Sequence, residues 1–90
     1  MGYVLVTTKH RGVFAGFMKQ DDGETVTLSE ARNCLYWSKD VRGFLGLALT
    51  GPSKDCRIGL AVSELRLYGV TSVTACMDEA QKAWESSPWS

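Results

Sequence analysis

Residues 31–37 carry the side chains of this chain that are best suited to binding chemistry. They place a guanidinium and an amide beside two large aromatic rings, at Arg32, Asn33, Tyr36 and Trp37. An arginine binds carboxylate or phosphate through a fork of N–H groups, an amide reads polar edges, and an aromatic face stacks on planar rings. This combination is typical of a site for a planar ligand that is anionic or carries a sugar.

A purely structural role for the same segment is the alternative. On an ideal strand Arg32 and Tyr36 face one way, whereas Asn33 and Trp37 face the other. The two aromatic rings would then fill the core, as aromatic residues of small domains commonly do. Arg32 would pair with a nearby acid. Both interpretations predict a strand, and only the first predicts a ligand on it.

Two further arginines are candidate anion ligands, because they flank a loop of small and hydroxylated residues at 50–54. Arg42 precedes this loop and Arg57 follows it, and Arg57 is included in the predicted ligand site. The loop lacks the G-x-x-x-x-G-K-[ST] spacing of a phosphate-binding P-loop. A helix stop at Gly51 and Pro52 explains it equally well, and both arginines are then solvated charges.

The chain shows no pattern typical of a catalytic centre. His10 is the single histidine, and the three cysteines are widely spaced, without a C-x-x-C pair. A catalytic triad or a zinc site needs partners at a definable spacing. An odd number of separated cysteines also indicates reduced thiols in a cytoplasmic protein rather than a disulfide framework. The sequence therefore predicts a protein that is not an enzyme and has no metal or cofactor.

The size and the net charge of the chain limit the classes of partner that it is expected to bind. Ninety residues form one domain of modest stability, which makes a homo-oligomer a reasonable expectation. Ten basic and ten acidic residues cancel, and a nucleic-acid binder needs an excess of cations. The longest apolar run, 44–49, is far below the ~20 residues that span a bilayer. Neither nucleic acid nor a membrane is expected as a partner.

The elements that must position these residues belong to an α+β fold, a single domain over residues 1–86 with a tail at 87–90. Alternating and β-branched residues predict strands at 3–8, 13–18, 25–28 and 31–37, with a turn at Ser29 and Glu30. Apolar residues with helical spacing predict a helix over 41–49. A strand at 56–62, an interrupted strand at 65–75 and a helix with Asp78 and Gln81 as a capping box complete the chain. We expect an antiparallel sheet of about five or six strands with two short helices.

In the order of its motifs the chain resembles an uncharacterised family of small phage- and prophage-encoded proteins. The matching residues are Gly12 to Gly16, Ala31 and Arg32, Tyr36 and Trp37, Leu47 and Ala48 before a glycine, Cys56, and Trp89 after Pro88. The helix departs from the usual form of the family, because it contains Gly43 and Gly46.

This resemblance implies an accessory protein of the host cytoplasm that counters host defence. By analogy with phage sponge proteins, it would sequester a small nucleotide-derived immune signal, such as a cyclic ADP-ribose or a cyclic nucleotide, at a subunit interface. In that hypothesis Arg32 holds phosphate, Asn33 holds a ribose or base edge, Tyr36 or Trp37 stacks on the base, and Arg57 adds charge. The alternative is an inhibitor that binds and blocks a host protein through the Gly43/Gly46 helix surface or Trp89.

Overall fold

The fold is built on a meander of three antiparallel strands, β1 (Tyr3–Thr8), β2 (Val13–Asp21) and β3 (Val26–Tyr36). The computed structural model describes residues 2–9, 12–37, 43–53 and 56–87. The remaining elements are α1 (Gly43–Leu49), β4 (Arg57–Ile58), β5 (Val62–Leu67), β6 (Val70–Ala75) and α2 (Asp78–Ser86). Over the described residues the strands form one six-stranded antiparallel sheet, so the predicted α+β class is confirmed.

The sheet curls because β5 and β6, which follow one another in the chain, pair with opposite edges of the three-stranded meander. β5 pairs with β3, and β6 pairs with β1, although only Tyr68 and Gly69 separate β5 from β6. The side chains of β1 therefore alternate between two cores. The core between β1, β3 and β5 consists of Val4, Val6, Val26, Leu28, Ala31 and Leu67.

The second core lies on the other face of β1, under the two helices. The strands contribute Tyr3, Leu5, Val13, Ala15, Cys34 and Ile58, and the helices contribute Leu47, Ala48, Ala80 and Trp84. Trp84 is fully buried, and its Nε1–H donates to the carbonyl oxygen of Leu47 over 3.0 Å. This bond joins α2 to α1 and positions both helices over the sheet.

Gly51 ends α1 and allows α2 to approach. Its φ is +83°, a left-handed conformation that favours glycine. A Cβ atom at this position would lie 2.6 Å from the Cβ of Ala83, so a side chain would collide with α2. The predicted helix stop at Gly51 is thus confirmed, and the same residue is a packing contact between the two helices.

Three details of the predicted elements were wrong. The predicted turn at Ser29 and Glu30 is a bulge inside the single strand β3: Ala15 pairs with Arg32 and Phe17 with Ser29, so β3 has one extra residue. The predicted strand 56–62 is interrupted, because only Arg57–Ile58 pairs with β3 before the chain leaves the ladder.

The third difference concerns α2. Met77 is its N-cap, and no side chain caps the first turn, so the predicted capping box does not form. Ala80 and Trp84 are the residues of α2 that are buried against the sheet. Among the described residues, no helix has the length and apolar character needed to cross a membrane.

Candidate functional site

Arg32 points to the helix-covered face of the sheet and is only 7% exposed. Its Nε–H donates to the carbonyl oxygen of Gly59 over 2.8 Å. Its Nη1 donates to the carbonyl oxygen of Trp84 over 2.9 Å and to that of Ser87. The last carbonyls of a helix lack partners within the helix and attract cations. Arg32 therefore fastens the end of α2, and the loop after β4, to the middle of β3.

Asn33 lies on the opposite face of β3 and packs against the same loop. The Gly59 N–H donates to the backbone carbonyl of Asn33 over 2.8 Å. A Cβ atom at position 59 would lie 2.3 Å from Oδ1 of Asn33, so a side chain there would require the amide of Asn33 to move. Trp37, at the end of the strand, is partly buried and packs against the helix-covered core. This tryptophan thus follows the structural alternative considered for residues 31–37.

Tyr36 and Arg57 are the two predicted site residues that the structure brings together with exposed side chains. They are register partners where β3 pairs with β4. Tyr36 is 55% exposed and its neighbour Leu35 is 58% exposed. These three residues line an open surface cleft of about 480 Å³. Leu35 was not a candidate in the sequence. Its position beside Tyr36, near the end of the predicted strand, is the signal that could have identified it.

A second, smaller cavity lies on the helix-covered side of the sheet. It has a volume of about 260 Å³ and is lined by Tyr3, Glu30, Arg32, Ala61 and Glu85. Apart from Arg32, none of its residues was a candidate in the sequence. No sequence signal marks them, because they come from β1, the β3 bulge, the loop before β5 and the end of α2.

The thiols next to these surfaces are poor nucleophiles. Burial raises the pKa of Cys34 to about 11, with Cys56 adding to the rise and a hydrogen bond to the Tyr36 carbonyl opposing it. Burial likewise raises the pKa of Cys76 to about 11. Both thiols are protonated at neutral pH, whereas the thiolate is the reactive form of cysteine.

Three further residues that the sequence analysis considered are not among those that the structure describes. His10, Arg42 and Trp89 lie outside the described residues. Within the described ranges, no group of three or more His, Cys, Asp and Glu side chains could hold a metal ion.

The geometry thus defines a small curled-sheet domain with an open aromatic–arginine cleft on β3 and β4 and a separate cavity under α2. The chain belongs to the DUF6948 family, a domain of unknown function, whose sequence profile matches residues 1–84. No curated protein and no solved structure matches the chain.

Proposed function

We propose that this protein is a binding protein without catalytic activity that sequesters a small nucleotide-derived ligand at the cleft of Leu35, Tyr36 and Arg57. The observation that carries the proposal is the direct cross-strand pairing of Tyr36 with Arg57, both with side chains open to the cleft. An aromatic ring stacks on a base, and a guanidinium binds phosphate through parallel N–H groups.

The charge of Arg57 is available to a ligand. Among the described residues the one ion pair joins Lys19 to Glu64, at 2.6 Å, and no carboxylate pairs with Arg57. A phosphate at this position would gain a charge-assisted hydrogen bond without breaking an existing one. Leu35 adds an apolar surface to the cleft beside Tyr36.

Sequestration fits the cleft better than turnover does. The protonated thiols of Cys34 and Cys76 give no nucleophile, and Tyr36 and Arg57 offer binding groups without an acid–base pair. We place the protein in the cytoplasm, where reduced thiols are usual. The resemblance to phage-encoded proteins supports the narrower proposal of an accessory protein that removes an immune signal such as a cyclic ADP-ribose or a cyclic nucleotide.

The openness of the cleft is the reason to expect an oligomer. Ligand sites commonly cover roughly 70–90% of a small ligand's surface, and three side chains at a strand end cannot do this alone. A second copy of the chain facing Leu35 and Tyr36 would supply the missing wall. The proposed ligand site is therefore completed at a subunit interface.

Native mass spectrometry of the gently purified protein with a panel of cyclic nucleotides and ADP-ribose derivatives tests this function. We expect an oligomer that takes up an integral number of ligands and releases them unchanged on denaturation. The variant Arg57→Met should weaken binding roughly tenfold, the effect of one hydrogen bond to a charged group. The matched control is Arg66→Met, which removes an exposed arginine on β5. Equal affinity of the two variants, or release of an altered ligand, would contradict the proposal.

A second candidate function is the blocking of a host protein, and the exposure of Leu35 beside Tyr36 favours it. Tyrosine and arginine are common anchors in protein interfaces. The Gly43/Gly46 helix surface is less suitable, because Gly46 is buried. If the oligomer stays bare in the ligand panel, a pull-down from host lysate should retain a protein on the wild type and lose it on Leu35→Asp.

A further inference from the structure

We propose that the cavity lined by Tyr3, Glu30, Arg32, Ala61 and Glu85 binds a small zwitterion with the chemistry of an amino acid, its carboxylate on Tyr3 and Arg32 and its ammonium between the two glutamates. This cavity and the Leu35–Tyr36–Arg57 cleft share no lining residue. The proposal is therefore independent of the proposed function.

Tyr3 is a buried residue whose polar atom is left for a ligand. Its side chain is 4% exposed, and its ring meets the ring of Phe17 edge-on at 5.1 Å between centroids. Among the described residues no group forms a hydrogen bond with the Tyr3 hydroxyl, and this oxygen is not sealed from solvent. Because this hydroxyl is unpaired among the described residues and Tyr3 lines the cavity, it can form a hydrogen bond with a ligand without breaking an existing one.

Burial also fixes the state of this hydroxyl. It raises the pKa of Tyr3, and Cys76 and Glu85 raise it further, against the opposing effect of Arg32. The phenol keeps its proton throughout the physiological range and can donate a hydrogen bond. A carboxylate is the natural acceptor for it, because Arg32 supplies a positive charge on the same wall.

Arg32 retains one donor group after fastening α2. Its Nε and Nη1 are bonded to the carbonyls of Gly59, Trp84 and Ser87, and Nη2 has no partner among the described residues. Nη2 is not sealed from solvent either. A ligand carboxylate can therefore use Nη2 without releasing the helix.

The charges around the cavity select against a phosphate and for a molecule with two charges. Two carboxylates, Glu30 and Glu85, face one guanidinium, which leaves an excess of one negative charge. Glu30 and Glu85 are exposed, whereas Arg32 is buried. A phosphate on Arg32 would be repelled by both carboxylates. A zwitterion places its anionic end on the buried wall and its cationic end at the acidic rim.

The backbone at Glu30 is a separate indication of a functional role. Glu30 has a φ of +51° in the β3 bulge, and it is the one non-glycine residue with positive φ in the described part of the chain. This conformation costs roughly 1–3 kcal/mol in a residue other than glycine, and such strain concentrates at binding sites. Glycine would relieve the strain, but it would remove the carboxylate from the rim.

Titration of the isotope-labelled protein, followed by NMR shifts at Tyr3 and Arg32, tests the proposal with three matched probes. L-Leucine carries both charges, 3-methylbutylamine lacks the carboxylate, and 4-methylpentanoate lacks the ammonium group. We expect saturable binding of L-leucine and at least about tenfold weaker binding of either analogue, since each loses hydrogen bonds to a charged group. Absence of saturable L-leucine binding, or an analogue that binds as tightly, would overturn the proposal.

Two pairs of variants locate the binding. Tyr3→Phe removes only the hydroxyl and should weaken L-leucine binding about tenfold, while Tyr36→Phe makes the same change outside the cavity. Glu85→Gln should weaken binding several-fold, and Glu79→Gln changes the same group elsewhere on α2. If both members of either pair bind L-leucine equally, the ligand does not occupy this cavity. Circular dichroism of each variant confirms that the fold is retained before titration.

Discussion

Replacement of Arg32 by methionine, measured by unfolding without any ligand, tests the role of Arg32 in holding the end of α2. Methionine keeps an unbranched apolar stem and removes the guanidinium with all of its N–H donors. The variant leaves three carbonyl oxygens without their donor, those of Gly59, Trp84 and Ser87. Two of these hydrogen bonds are buried, and the bond to Ser87 is only partly buried.

The expected loss of stability follows from that difference in burial. A hydrogen bond to a charged group contributes about 1.5–3 kcal/mol, and water can replace the donor at the partly buried Ser87 carbonyl. Two buried bonds at the lower end of this range give a loss of about 3 kcal/mol. A domain of 90 residues has roughly 5–13 kcal/mol of stability in total. Arg32→Met is thus expected to fold with a large part of its stability gone.

Urea unfolding followed by tryptophan fluorescence measures this loss. With a slope of about 1–1.5 kcal/mol per molar urea, a 3 kcal/mol loss lowers the midpoint by about 2–3 M. The control Arg57→Met removes an exposed arginine and should shift the unfolding free energy by less than about 0.5 kcal/mol. Hydrogen exchange adds a local test, because the Ser87 N–H, bonded to the Ala83 carbonyl at 3.1 Å, should exchange faster once the end of α2 is released.

A result in which the Arg32→Met and Arg57→Met variants unfold at the same urea concentration would refute this reasoning. It would mean that the three carbonyls are hydrated in the folded protein and that Arg32 contributes its charge elsewhere. The helix end would then be held by the packing of Trp84 and its bond to Leu47 alone.

The remaining predictions concern strain, helix packing and thiol ionisation. Glu30→Gly should raise the unfolding free energy by about 1 kcal/mol in thermal melts by relieving the positive φ, and an unchanged or lower melting temperature would contradict the strain. Gly51→Ala should lower the unfolding free energy by about 2 kcal/mol or more, because the new Cβ would collide with Ala83 and the positive φ at this position favours glycine. A loss below about 0.5 kcal/mol would be inconsistent with that collision. Burial raises the pKa of Cys34 and Cys76 from 9 to about 11, so their stabilising effect is complete below pH 9 and is lost as pH rises towards 11. A Cys34→Ala, Cys76→Ala double variant, compared by urea unfolding at pH 8 and pH 10, should lose less stability over this interval than the wild type.

The predictable part of the fold is the part set by local pattern. The β-branched run at 3–8 and the helix stop at Gly51 depend on neighbours in the sequence, and the structure has both. The sequence predicts a turn at Glu30, since a charged residue after Ser29 at the end of an apolar run is typical of one, and the structure has a bulge there. What makes it a bulge is pairing with β2 on one side and β5 on the other. Those contacts lie far away in the chain and leave no local signal.

In the candidate site, too, neighbouring residues in the sequence predict the strand, whereas distant residues determine what each side chain contacts. The strand predicted at 31–37 is confirmed for residues 31–36, which belong to β3, and its binding role stays a prediction. The partner of each side chain could not be read from the strand itself. Arg32 donates hydrogen bonds to three backbone carbonyls, and the residues that carry them follow Arg32 in the sequence by 27, 52 and 55 positions. Tyr36 acquires Arg57 through a register that depends on a two-residue strand.

The engagement of Arg32 decides which arginine can bind a phosphate. A phosphate held by the Nε and Nη1 groups of Arg32 would have to displace the carbonyls of Gly59 and Trp84, at a cost of about 3 kcal/mol by the reasoning above. A ligand with micromolar affinity gains about 8 kcal/mol, so this displacement would weaken it to a dissociation constant near 10⁻⁴ M. Arg57 imposes no such cost, because no carboxylate among the described residues pairs with it. In the proposed function, a nucleotide-derived ligand would therefore bind through Arg57 and Tyr36, and Arg32 would contribute to that site only by holding β4 and α2 in place.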